Sequence, residues 1–128
     1  MKYEYWVPED SERSPVVREV DKCFKQDKLG RRNYERRLLV FGDNSYETMV
    51  ALEQIRPFRG SLTKLHEWLF DLPGNRTVRV MFVISRGVAY FLHFFIKKSS
   101  QGHVTPPGNL QIAEDRAEQF RNEEQREI

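Results

Sequence analysis

The sequence lacks several features that would place it in a familiar class of protein. Its single cysteine, Cys23, allows no internal disulfide and fits the reducing environment of the cytoplasm. No apolar run approaches the roughly 20 residues that a membrane-spanning helix needs, and residues 1–6 lack the basic and then apolar pattern of a signal peptide. A glycine-rich phosphate loop, a metal-ligand spacing and the context of a Ser-His-Asp nucleophile are also missing. We therefore expect a cytoplasmic protein that needs no metal or cofactor and has no membrane partner.

The composition is that of an ordinary folded domain. Of the 128 residues, 39% are hydrophobic and 31% are charged, and this length fits one domain over residues 1–128. The charge is uneven, because the segment from Arg56 to His103 holds eight Lys or Arg against Glu67 and Asp71 alone. Such a segment suits a polyanion such as nucleic acid, or it is a surface that is basic without binding anything.

Hydrophobic periodicity, caps and breakers predict the secondary structure. The elements in chain order are a strand over residues 2–7, a helix from Pro15 to a stop at Gly30, a helix over residues 33–41, an amphipathic stretch from Ser45 closed by Pro57 and Gly60, strands over 62–70, 78–84 and 88–96, a loop over 99–108, and a final helix from Leu110 whose tail, 121–128, frays. Arg86 and Gly87 form a short hairpin connection, so the last three strands make an antiparallel meander. Clustered helices followed by clustered strands predict an α+β fold.

Three stretches of the chain match one family pattern in order and spacing. They are Arg13-Ser14-Pro15-Val16, Lys64-Leu65-His66-Glu67-Trp68 followed by Val78-Arg79-Val80, and His93-Phe94-Phe95-Ile96-Lys97-Lys98-Ser99. On these motifs the chain resembles the RelE/ParE superfamily of toxins, and within it the phage-derived, HigB-like branch of type II toxin–antitoxin systems. The resemblance covers roughly residues 12–120. Leu69 stands where the family carries an arginine, and Phe94 stands where it carries a small residue.

The resemblance implies a RelE/ParE-like fold and cleavage of messenger RNA, usually on the ribosome. In that reaction the RNA 2′-hydroxyl attacks the neighbouring phosphate, and the enzyme deprotonates the hydroxyl, neutralises the phosphorane and protonates the leaving oxygen. Cations on a rigid sheet can do much of this without a metal ion. The resemblance also implies a helix-turn-helix antitoxin as partner, beside messenger RNA and the ribosome.

Arg79 is the leading candidate to hold the scissile phosphate. Strand residues alternate in direction, so Arg79 points away from Val78 and Val80 and emerges on the open face of the sheet if those valines face the helices. Arginine suits a phosphate because its planar fork donates two parallel hydrogen bonds. The competing interpretation is a structural arginine paired with Glu67.

Lys97, Lys98 and His93 complete the predicted catalytic set. Adjacent strand residues point to opposite faces, so one of the two lysines should reach the cleft, where a lysine near a second cation can act as a base. His93 shares the strand parity of Lys97 and could exchange protons near neutral pH, although its apolar neighbours favour a buried core histidine. The candidate contacts to RNA phosphates are Lys64, Arg76 and Arg86. The competing interpretation for each is a solvated surface cation.

Three functions stay open on the residues alone. The first is the endoribonuclease toxin, which requires Arg79 and at least one of the lysines to meet in an exposed hollow. The second is a toxin of the same fold that poisons DNA gyrase, as the ParE branch does, and Leu69 in place of an arginine favours it. The third is a phage-related binding protein that retains the fold without the chemistry.

Overall fold

The computed structural model describes residues 1–98 and 105–127. Its elements in chain order are β1 (Lys2–Tyr5), α1 (Pro15–Cys23), α2 (Lys28–Asp43), α3 (Tyr46–Ala51), β2 (Ile55–Pro57), β3 (His66–Leu72), β4 (Arg76–Ser85), β5 (Val88–Lys98) and α4 (Pro107–Arg126). None of these helices is both long enough and apolar enough to cross a bilayer, within the part of the chain described.

The strands form one sheet in the order β1-β5-β4-β3-β2. β3, β4 and β5 make the antiparallel meander, β2 extends it antiparallel to β3, and β1 adds a parallel strand beside β5. The fold is therefore α+β, with an N-terminal strand, several helices and a mostly antiparallel sheet, as the sequence predicts.

Helices cover both faces of the sheet. On one face α1, α2 and α3 pack through a large buried cluster, which includes Val16, Val20, Tyr34, Phe41, Met49, Trp68, Val80, Phe82 and Phe91. On the other face α4 packs through a smaller cluster, which includes Trp6, Leu65, Met81, Val83, Leu92, Ala113, Ala117 and Phe120. Alternation along β4 assigns its residues to the two clusters, so Arg79 lies on the α4 side of the sheet.

Local chemistry explains two of the predicted boundaries. The Ser14 hydroxyl accepts a hydrogen bond from the backbone N–H of Val16 at 3.2 Å, and Pro15 follows as the first helical residue, so α1 begins where predicted. Arg86 and Gly87 have φ angles of 51° and 79°, which are the left-handed values of a two-residue hairpin turn. The predicted connection between β4 and β5 is confirmed.

Three predicted boundaries between α1 and β3 are wrong. The first helix ends at Cys23 rather than at Gly30, which is buried inside α2. β3 starts at His66 rather than at Leu62. The stretch closed by Pro57 is not helical to its end, because Ile55–Pro57 pairs with β3 as the edge strand β2.

The prediction of a frayed tail after residue 120 is also wrong for the described residues. α4 starts at Pro107 and continues to Arg126. Glu123 is buried and accepts hydrogen bonds from the Trp6 Nε1–H at 3.0 Å and from the Glu9 backbone N–H at 2.8 Å. These bonds tie the last turns of α4 to the loop after β1. Residues 99–104 of the predicted loop and Ile128 of the predicted tail lie outside the described residues.

Candidate functional site

A polar cluster surrounds Glu67 on the α4 side of the sheet, and we call it the Glu67 cluster. Glu67 is fully buried in β3, and its Oε1 accepts from Nε and Nη2 of Arg56 at 2.9 and 2.7 Å and from Nη1 of Arg79 at 3.0 Å. Its Oε2 accepts from the hydroxyl of Thr105 at 3.1 Å. Lys97 lies on the same face and completes the cluster, so four neighbouring strands each contribute one charged side chain.

Arg79 does not lie on an open face, so that prediction is wrong. Its parity is as expected, opposite to Val78 and Val80, but only 2% of the residue is exposed. Both faces of the sheet are covered, and strand alternation alone cannot reveal a cover on the second face. The ion pair with Glu67, which was the competing interpretation, is what the structure shows.

The two lysines at the end of β5 separate as the alternation predicts. Lys97 is 4% exposed and lies on the face that holds Arg79, whereas Lys98 is exposed. Burial and the neighbouring Arg79 cation lower the pKa of Lys97, against the opposing effect of the Glu67 carboxylate. Arg79 and one lysine therefore meet, as the nuclease interpretation requires, but they meet in a buried place rather than in an exposed hollow.

His93 is a buried, hydrogen-bonded histidine next to the cluster. Its Nδ1 is 2.9 Å from Oε2 of Glu19, and its Nε2 is 2.7 Å from Oδ1 of Asn109. The other Glu19 oxygen accepts from Nη1 of Arg116 at 3.0 Å and from the backbone N–H of Phe94 at 3.1 Å. Burial alone would raise the pKa of Glu19, but these hydrogen bonds outweigh it and lower the pKa. His93 thus joins α1, β5 and α4.

The three predicted phosphate contacts are not brought together. Arg76 faces the opposite side of the sheet and donates to Oδ2 of Asp27 at 2.9 Å. Lys64 is exposed in the loop before β3, and Arg86 is exposed in the hairpin between β4 and β5. Arg86 is seven strand residues from Arg79, which is about 23 Å along the sheet. These cations do not join the Glu67 cluster.

Sequence reasoning missed Arg56 and Thr105 as members of the cluster. Arg56 reaches Glu67 only because β2 pairs with β3, and a strand of three residues that contains Pro57 gives almost no periodic signal. Thr105 is uncharged, and the sequence alone does not place its hydroxyl next to Glu67. The signal present in the sequence was Glu67 itself, which lies in the second matched stretch and was the partner in the competing interpretation of Arg79.

The chemistry open to the cluster follows from its charged side chains. Within residues 1–98 and 105–127 no group of three or more His, Cys, Asp or Glu is placed to hold a metal. Arg56, Arg79 and Lys97 are the cations of the cluster, and the lowered pKa makes Lys97 a candidate base. A second carboxylate, that of Asp71, lies further along the same face and accepts from the hydroxyl of Thr77 at 3.2 Å.

Comparisons with known proteins leave the family unassigned. No protein-family model matches the chain, and no curated protein or solved structure matches it either. The RelE/ParE resemblance therefore depends on the sequence motifs.

Proposed function

We propose that this protein is the toxin of a type II toxin–antitoxin system, with a RelE/ParE-like fold, and that it inhibits translation by cleaving messenger RNA without a metal ion. Its expected partners are messenger RNA, the ribosome and a helix-turn-helix antitoxin, all in the cytoplasm. The order of its elements, with an N-terminal strand, helices, a strand meander and a final helix, supports the proposal.

The observation that carries the proposal is the set of cations that the sheet brings together in the Glu67 cluster. Arg56, Arg79 and Lys97 come from three strands and lie on the same face as the Glu67 carboxylate. Positive charge fixed on a rigid sheet is what a phosphorane dianion needs. Because Arg79 and Lys97 are buried, cleavage within this proposal requires that bound RNA uncovers the cluster.

Burial assigns different roles to the cations. Arg79 is held by Glu67 and acts as a positioning residue within the proposal, rather than as the exposed phosphate clamp. Lys97 is the candidate base, since its lowered pKa increases the fraction of neutral amine. Arg56, whose side chain is 40% exposed, and the exposed Lys98 are the residues that RNA can touch first.

The same burial favours a second candidate function. Arg79 and Lys97 are both more than nine-tenths buried, and a substrate phosphate has no direct route to either in this arrangement. A binding protein that retains the fold without cleaving RNA agrees with that observation. The gyrase inhibitor is a third outcome that the same set of assays distinguishes.

A cleavage assay on ribosomes tests the proposal. Wild type, Lys97→Met, Lys98→Ala and Arg56→Ala are incubated with ribosomes and messenger RNA, and cut sites are mapped by primer extension. Loss of a general base lowers rates by about a hundredfold or more, so Lys97→Met should abolish most of the cutting. Lys25→Ala is the matched control, because it removes an exposed cation in the connection between α1 and α2, away from the cluster.

Each pattern of results supports one of the three candidate functions. Cutting by wild type that Lys97→Met loses and Lys25→Ala keeps supports the endoribonuclease. Equal cutting by wild type and Lys97→Met contradicts it. If no variant cuts RNA, a gyrase supercoiling assay separates the two remaining candidates, since a gyrase poison inhibits supercoiling and a binding protein leaves it unchanged.

A further inference from the structure

The outward side of α2 carries a stripe that the fold does not use. Leu29, Arg32, Arg36 and Leu39 follow one another at spacings of three, four and three residues, so they lie along one side of the helix. All four are exposed, and the two leucines are 70% and 69% exposed. The opposite side of α2 buries Gly30, Tyr34 and Phe41 against the sheet. We call these four residues the α2 stripe.

The two arginines of the α2 stripe have no ion-pair partner among the described residues, unlike Arg31 of the same helix. Arg31 donates to Asp21 at 3.0 Å, and the Arg37 guanidinium lies 5.5 Å from the centre of the Phe70 ring. Glu35 is on the same helix, but no ion pair joins it to Arg32 or Arg36 within residues 1–98 and 105–127. The arginines are therefore available to carboxylates from outside the chain.

The leucines decide what kind of partner the stripe fits. A nucleic-acid backbone would contact the arginines, but it has no apolar group to cover two leucine side chains that lie about 15 Å apart along the helix. A second copy of this chain that docked symmetrically through the stripe would place arginines against arginines. An acidic amphipathic helix satisfies both features, because its leucine-like side chains and its carboxylates can lie on one face.

We infer that the α2 stripe docks an acidic amphipathic segment of a protein partner, with two carboxylates about one helical turn apart between two apolar side chains. The carboxylates meet Arg32 and Arg36, and the apolar side chains cover Leu29 and Leu39. This interface lies on the side of the sheet that α1, α2 and α3 cover, and it does not include the Glu67 cluster. The inference consequently does not depend on whether the protein cleaves RNA.

A designed peptide tests the inference. The probe is a helix-stapled peptide of 16 residues, the length of α2, with Leu, Glu, Glu and Leu at spacings of three, four and three. Binding is measured by fluorescence anisotropy, and the contacted residues are mapped by NMR shifts. Wild type should bind, and Arg32→Glu/Arg36→Glu should weaken binding by about tenfold or more, because two attractive pairs become repulsive. Leu29→Ser/Leu39→Ser should also weaken it while the charge is unchanged.

The controls match the variants in charge and in position. Arg18→Glu/Lys22→Glu reverses two exposed cations one turn apart on α1 and should leave peptide binding unchanged. A peptide with Lys in place of Glu should not bind wild type. Equal binding to wild type and to both charge-reversed variants, or no binding of the Glu peptide at all, would overturn the inference. Shifts at the stripe with a single-stranded RNA of mixed sequence but not with the peptide, or dimerisation that Arg32→Glu/Arg36→Glu abolishes, would also overturn it.

Discussion

Glu67 is the buried carboxylate at the centre of the Glu67 cluster. It has no exposed surface, and it accepts hydrogen bonds from two arginines and a threonine. A buried ion pair adds little stability over a well-packed apolar pair, but removing one partner is costly because the other charge stays behind. The contributions of the Glu67 and Arg79 charges to stability should therefore depend strongly on each other.

A double-mutant cycle tests this dependence. Glu67→Leu should lower the free energy of unfolding by about 3–5 kcal/mol, because it removes the carboxylate that neutralises Arg79. Glu67→Leu/Arg79→Met should recover most of that loss, since both charges are replaced by apolar groups. Urea unfolding monitored by circular dichroism gives the four values. If the losses of the two single variants simply add in the double variant, the buried pair is not coupled.

The pKa of Lys97 gives a second prediction. Burial and Arg79 lower that pKa in the folded protein below the value of 10.5 in the unfolded chain. Between the lowered pKa and 10.5 the unfolded chain binds more protons, so the contribution of Lys97 to stability rises with pH and is unfavourable below this window. The stability advantage of Lys97→Met over wild type should therefore shrink as the pH rises from about 7 towards 10.5.

Urea midpoints of both proteins across that range measure the difference, in which the titrations of other groups cancel. Lys98→Met controls for the loss of a lysine at the exposed neighbouring position. A constant difference between Lys97→Met and wild type at every pH would contradict the prediction.

Single residues show which properties of a site strand alternation predicts and which it does not. Alternation correctly put Lys97 and Lys98 on opposite faces, with one of them on the face of Arg79, because the direction of a side chain follows from the pleat. It did not give their exposure, which depends on α4 and on residues distant in sequence. Arg56 shows the same limit, because its contact with Glu67 exists only in the folded sheet.

At the scale of elements, the start of α2 depends on a close approach that only glycine allows. Asp27 caps the helix by accepting from the Gly30 backbone N–H at 2.9 Å, and it also accepts from Arg76. A Cβ at Gly30 would overlap the Asp27 carboxylate and lie 2.9 Å from Cε1 of Phe24. Gly42, near the end of the same helix, has no atom within 4 Å of such a Cβ.

Two alanine substitutions in α2 should consequently have opposite effects. Gly30→Ala should lower the free energy of unfolding by about 1–3 kcal/mol, because it disturbs the cap and crowds the core. Gly42→Ala should raise it by about 0.5 kcal/mol, since alanine is the better helix former and meets no obstacle. Thermal and urea unfolding of the two variants give both signs. If Gly30→Ala instead raised the free energy of unfolding, the Asp27 cap would have rearranged without loss of stability.

Elements with strong periodicity were predictable, and those fixed by tertiary contacts were not. The meander and its hairpin followed from β-branched residues and from the glycine after Arg86. Gly30 misled the prediction of α1, because a glycine chosen for close packing resembles a helix stop. The last turns of α4 look like a solvated tail in sequence, but the bond between Glu123 and Trp6 fixes them.

At the scale of the whole molecule, the two apolar clusters share one sheet. Trp68 lies in the cluster under α1, α2 and α3, and Trp6 lies in the cluster under α4. Side chains of both clusters alternate along β4 and β5, so neither cluster can lose its packing without exposing a strand that the other needs. Two clusters joined in this way should unfold together.

The two tryptophans of the chain make this cooperativity measurable. In Trp6→Phe the remaining Trp68 reports on the larger cluster, and in Trp68→Phe the remaining Trp6 reports on the α4 side. Within each variant, urea transitions followed by tryptophan fluorescence and by far-ultraviolet circular dichroism should coincide, because the shared strands couple both clusters to the secondary structure. The two variants will differ in midpoint, since each substitution has its own cost, so the comparison is made within a variant. A Trp6 signal that is lost at lower urea than the circular dichroism would show that α4 leaves the sheet first, and the two clusters would then be separate cooperative units.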